Sequence, residues 1–143
     1  MRSDFHIQDQ ERFLREIPDL IAKLRLRNPS YAWDLDLTPS SLAVVDRLVA
    51  VIIDQIIAHR SHVTDALDPD LVRQVTAYVG EVIVRHKKGR WQVTSSETHD
   101  GPTVAFPVSN GDSWHKAIDI YSHVFTTIVE GESLEAWYQA EIG

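Results

Sequence analysis

Residues 67–91 read LDPDLVRQVTAYVGEVIVRHKKGRW, and this stretch decides the fold class. Asp68 followed by Pro69 marks a helix start. A short acceptor side chain caps free backbone N–H groups, and proline fits the first helical position because its missing donor is not needed there. Leu67 and Val72 flank the cap as a hydrophobic staple. Leu71, Val72, Val75, Val79, Val82 and Ile83 then recur at helical spacing and close on one face. After Gly89 the period changes to two, with Trp91 and Val93 alternating against polar neighbours up to Thr94. A turn-rich stretch, 95–102, leads to the apolar segment 103–108, which predicts a β-hairpin with a long loop. Helix running into hairpin is an α+β signal.

Working outward, Leu37-Thr38-Pro39-Ser40-Ser41-Leu42 repeats the same start, with Thr38 as cap, Pro39 at the first position and Leu37 against Leu42. The helix it opens runs to about Arg60. Its stripe of Leu42, Val45, Leu48, Val49, Ile52, Ile53, Ile56 and Ile57 is widened by Val44 and Val51 to well over half the circumference, so most of its sides need a cover. Either this is the central helix, or its Val44–Val51 flank is an interface with a partner or a second copy. Upstream, residues 8–26 are helical, with a kink or break expected near Glu16 because Pro18 removes a hydrogen bond. Tyr31, Trp33, Leu35 and Leu37 alternate with polar neighbours and predict a short strand or extended arm. Downstream, Asn110-Gly111-Asp112-Ser113 predicts the cap of a fourth helix whose apolar face is Trp114, Ala117, Ile118, Tyr121, Val124, Phe125 and Ile128. Gly131 ends it, and Leu134, Trp137 and Tyr138 form a last amphipathic turn or two. The expected architecture is a single domain over 1–143, with an N-terminal helical segment (1–30) and a core (31–143) of about four helices packed with a small antiparallel hairpin or sheet.

The chain's size and its 43% hydrophobic and 24% charged residues are those of an ordinary globular domain. A formal charge of -7 repels phosphate backbones and anionic lipid, which argues against a nucleic-acid partner. Arg85, His86, Lys87, Lys88 and Arg90 form the one dense basic run, in the last turn of a helix where the macrodipole favours cations. With no cysteine, disulfides, thiolate nucleophiles and cysteine-ligated zinc are excluded. The start has no hydrophobic signal core. The longest apolar stretch, around Leu48 to Ile57, is short and broken by Asp54, so neither a membrane span nor export is expected, and the expected location is cytoplasmic.

The histidines invite a metal or catalytic reading. Asp112, His115, Asp119 and His123 fall on one arc of the expected fourth helix, opposite its apolar face, which places them in solvent as ordinary i,i+4 pairs. His59 and His62, with Asp65 and Asp68 beyond, sit at the polar end of a helix. His86 continues the apolar stripe and reads as a satisfied histidine at the edge of the core. Gly80, costly inside a helix, suggests close approach of another group, and Glu81 beside it gives a pocket wall one carboxylate. Gly80, Glu81, His86 and Trp91 are therefore the candidate binding residues, Val44 and Val51 the candidate interface. No catalytic residue, metal site or cofactor is expected. The sequence carries no glycine-rich phosphate loop, no serine elbow and no histidine pair flanking a glutamate.

Three segments, Trp33-Asp34-Leu35-Asp36-Leu37-Thr38-Pro39-Ser40-Ser41-Leu42, Ala77-Tyr78-Val79-Gly80-Glu81-Val82-Ile83 with Gly89-Arg90-Trp91, and Val129-Glu130-Gly131-Glu132-Ser133-Leu134 with Tyr138, resemble a family of uncharacterised bacterial α+β proteins. The resemblance implies a helix, hairpin, helix layout and brings no activity and no catalytic residues. Two glycines often precede the tryptophan in that family, where this chain has Lys88-Gly89-Arg90. The function expected is that of a non-enzymatic bacterial protein-binding module, with immunity proteins that mask basic toxins as one subclass by analogy. The rival reading is a small metal-dependent or acid/base enzyme using Glu81, His86 or the Asp112 to His123 face.

Overall fold

Helix α4 (Pro69–Lys87) is the axis of the molecule in the computed structural model, which describes residues 7–27, 29–59, 62–93, 102–107 and 115–143. It opens as its sequence dictates, with the Asp68 carboxylate accepting from the Asp70 N–H at 2.9 Å and Pro69 in the first turn. It closes on Lys88, whose backbone is left-handed (φ 55°). Gly89 follows for a different reason. A Cβ there would meet the Ala105 carbonyl oxygen at 3.0 Å and Val104 at 3.2 Å, so the glycine lets the chain pass close over the sheet.

From Leu71 to Ile83 every residue of α4 except Arg73 and Glu81 is buried, Gln74, Thr76, Tyr78 and Gly80 as well as the apolar stripe. A helix covered on nearly all sides is a core helix. On one side lies α1 (Ile7–Arg27), on another α5 (Ile120–Val129), and strand β2 (Thr103–Pro107) covers a third. The central place expected for the second helix therefore belongs to α4. Helix α2 (Leu42–Ala58) lies to the side, against α6 (Leu134–Glu141) and the single-turn α3 (Val63–Ala66). Its own lead-in is a 3-10 turn, Pro39–Ser41, capped by Thr38 as the sequence predicts.

Strand β1 (Arg90–Gln92) pairs antiparallel with β2, with Trp91 opposite Val104, which is the expected hairpin. A third strand, β3 (His115–Asp119), continues the sheet in the order β1-β2-β3, with Ala117 opposite Ala105. This corrects the fourth helix. Residues 115–119 satisfy their backbone through β2, and the helix begins only at Ile120, where the Asp119 carboxylate accepts from the Ser122 N–H at 3.1 Å. The proposed cap at 110–113 lies outside the described residues.

Of the kink or break expected at Pro18 the break is absent, and the expectation for residues 29–37 changes. Helix α1 runs through Pro18 without a break, because Phe13, Ile17, Leu20, Ile21 and Leu24 are all buried along its inner side and their packing outweighs one lost backbone bond. Residues 29–37 form no strand. A 3-10 turn (Pro29–Tyr31) leads into bends in which Leu35 and Leu37 are buried while Trp33 is 93% exposed. The segment's backbone is held by side chains instead of a neighbouring strand. Arg25 donates to the Leu35 carbonyl through Nε (3.0 Å) and Nη2 (2.7 Å), and the Leu37 N–H donates to the Tyr78 hydroxyl at 2.9 Å. Leu37 turns the chain with φ 64°, a conformation a leucine holds only when its surroundings impose it. One buried cluster extends from Phe13 to Ile142.

Candidate functional site

Three of the four candidate binding residues meet. The Trp91 indole lies over Gly80, where any Cβ would overlap the ring carbons, and Phe13 packs edge-on to it with centroids 5.6 Å apart. The indole N–H donates to Glu81 Oε1 at 3.0 Å, and Arg85 Nε stands 3.6 Å from Oε2. Both carboxylate oxygens of Glu81 are thus engaged within the chain. His86 points elsewhere, its Nε2 3.0 Å from the Leu37 carbonyl oxygen, and serves to hold the 29–37 segment. A groove of about 390 Å³ runs beside this cluster, with Leu14, Ile17 and Pro18 on one wall and Glu81, Arg85 and Trp91 on the other.

The tie between Tyr78 and the α2 lead-in is tighter. Tyr78 is fully buried, and its hydroxyl lies 2.6 Å from Ser41 Oγ while accepting from Leu37. Burial raises the phenol pKa above its ordinary value, and the two hydrogen bonds offset this in part. At the other end of α1, Arg27 donates to Gln74 at 2.5 Å and to Asp68 at 2.9 Å, and this hydrogen bond holds the Asp68 carboxyl below its usual range.

The proposed Asp112, His115, Asp119 and His123 face does not exist as one helical face, since residue 115 is in a strand and residue 123 in a helix. Asp112 and the side chain of His115 lie outside the described residues. Asp119 is buried as the α5 cap, and His123 lies against Trp137, ring centroids 5.3 Å apart. His59 and His62 are exposed, as expected, with His59 Nδ1 2.7 Å from the Gln55 carbonyl oxygen. Among the described residues, no group of three or more His, Asp or Glu side chains is placed to hold a metal ion. Among those residues also, no helix is long and apolar enough to cross a membrane.

The two candidate interface residues separate. Val44 is 7% exposed and belongs to the core, while α6 is anchored to the same half of α2. The anchor is Asp46, whose carboxylate accepts from the Leu134 N–H (2.7 Å), the Ser133 hydroxyl (2.8 Å) and the Glu135 N–H (3.2 Å). Val51 is 52% exposed. Beyond it Ile57 is 58% exposed, while Ile52, Ile53 and Ile56 are half-buried. A groove of about 320 Å³ flanks this half of α2, between Ala50, Ile53 and Asp54 on one side and Ile128 and Gly131–Leu134 on the other.

Ser133 was readable as a cap from its place before an amphipathic turn, and it does accept from the Ala136 N–H at 3.1 Å. Asp46 carried no such local signal, since the backbone it caps is 88 residues away. Contacts between distant stretches supply much of this scaffold: Leu37 and Ser41 meet Tyr78, Gly80 and Glu81 meet Trp91, and Ser133 and Leu134 meet Asp46. Neither a protein-family model, nor a curated protein, nor a solved structure matches this chain.

Proposed function

We propose that this chain is a protein-interaction module whose contact surface is the outward face of α2. The observation that carries this reading is the exposure of Val51 (52%) and Ile57 (58%) on one helix, beside half-buried Ile52, Ile53 and Ile56. Scattered apolar residues are normal on a protein surface, but several along one helix face, next to an apolar groove, are the mark of a contact site. The Gly80 cluster supports the same ranking. General acid and base chemistry needs titrating groups free to exchange protons with a substrate, whereas Glu81 is engaged by Trp91 and Arg85, and His86 by Leu37.

The reading is tested by a photo-crosslinking amino acid placed at position 51, with position 22 on the exposed side of α1 as control, in cells that make the protein. Position 51 is expected to give a discrete protein adduct that position 22 does not. Equal or absent labelling at both positions would overturn the proposal. A basic toxin as the captured chain would place the protein in the immunity subclass.

A further inference from the structure

Resting on that reading, we infer that the outward face of α2 docks on the same face of a second copy, with the two helices antiparallel about an axis beside Ala50 and Val51. At about 100° and 1.5 Å per residue, Arg47, Ala50, Val51, Asp54, Ile57 and Ala58 occupy the arc directed away from the core, and all six are exposed. Only three of the 17 residues of α2 are charged, and one of them, Asp46, is consumed in capping α6. The other two, Arg47 and Asp54, are a heptad apart and so share the outer face. Among the described residues neither has an ion-pair partner in its own chain.

The spacing of these two charges selects the occupant. A two-fold axis midway between them sets Arg47 of each copy level with Asp54 of the other, about 5 Å to either side of the axis, so that two opposite-charge pairs form together. A parallel arrangement would set Arg47 against Arg47 and Asp54 against Asp54, so charge favours the antiparallel one. Between the pairs stands Ala50, small enough for close helix approach, with Val51 beside it, while Ile57 and Ala58 add apolar area further out. The net charge of -7 on each copy opposes this weakly, because exposed charges beyond about 10 Å are screened at ordinary salt.

The test uses the full chain and two charge variants that alter only exposed positions. Arg47→Asp and Asp54→Arg each place like charges together at both ends of the interface, and each is expected to raise the dimer dissociation constant about tenfold in a sedimentation dilution series. Mixed in equal amounts, the two variants are expected to form a heterodimer, because one copy then carries two acidic and the other two basic positions. The double variant regains self-association. Since the chain has no cysteine, Ala50→Cys adds a single thiol next to the axis, where the Cα separation required for a disulfide, about 4.4–6.8 Å, is met only by a close pair. It is expected to cross-link at least about tenfold faster than Ala22→Cys on α1.

A wild type that sediments as a monomer at every concentration overturns the inference, as does a dimer indifferent to both charge changes. Neither result touches the interaction-module reading, which falls if position 51 labels no protein or labels no more than position 22 does.

Discussion

Gly80 shows how one missing methyl group organises a site. In an exposed helix its replacement by alanine would gain about 1 kcal/mol from helix propensity. Here the Trp91 ring occupies the volume the Cβ would need, so Gly80→Ala forces the indole aside, with its hydrogen bond to Glu81 and its contact with Phe13. Overpacking of this kind costs about 1–3 kcal/mol, which exceeds the propensity gain. Gly80→Ala is therefore expected to lower the urea midpoint in the wild-type chain and to raise it in a Trp91→Ala background. The same sign in both backgrounds would show that the indole is not the reason for the glycine. The tryptophans divide on the same logic: Trp91 is held in the structure, whereas Trp33, 93% exposed, leaves no cavity when removed.

Among the elements, α6 depends most on a residue outside itself. An eight-residue helix is too short to stand alone, and its first-turn N–H groups are satisfied by Asp46 from α2 together with its own Ser133. Asp46→Ala removes the acceptor for two backbone N–H groups and one hydroxyl, and is expected to destabilise the protein by about 1–2 kcal/mol. Hydrogen exchange at Leu134 and Glu135 is expected to accelerate more than exchange in α4. Unchanged protection at those two amides would show that Ser133 alone suffices. Because the same carboxylate lies on the wall of the α2 groove, a frayed α6 would also open the surface on which the interaction-module reading rests.

At the scale of the whole molecule, stability at high pH follows from two buried phenols. Burial raises the pKa of both Tyr78 and Tyr138. A raised folded value means that the fold favours the neutral phenol: its contribution is complete below the unfolded value of about 10 and is lost as pH climbs through the folded values. The urea midpoint is thus expected to fall above pH about 10. Among the described residues the Tyr138 hydroxyl meets no hydrogen-bond partner, so Tyr138→Phe removes a buried polar group as well as a titrating one. The variant is expected to be at least as stable as wild type at neutral pH and to lose less on going alkaline; an identical pH dependence would exclude Tyr138 from the effect. What the sequence by itself determined was local. Thr38-Pro39 and Asp68-Pro69 start helices because a cap acts within three residues, and Trp91 with its alternating neighbours reads as a strand because side-chain period is a property of a few adjacent positions. The sequence marks both Gly80 and Trp91, but not as partners. Only the tertiary structure decided that α4 and not α2 is central, that Asp46 caps a helix 88 residues away, and that Val44 is covered where Val51 is not. The same holds for residues 115–119, whose Ala117 and Ile118 fit a helical or an extended pattern equally well. Pairing with β2 settled them, since which distant segment meets a given face is fixed by packing and backbone hydrogen bonding, and neither leaves a periodic trace in the sequence.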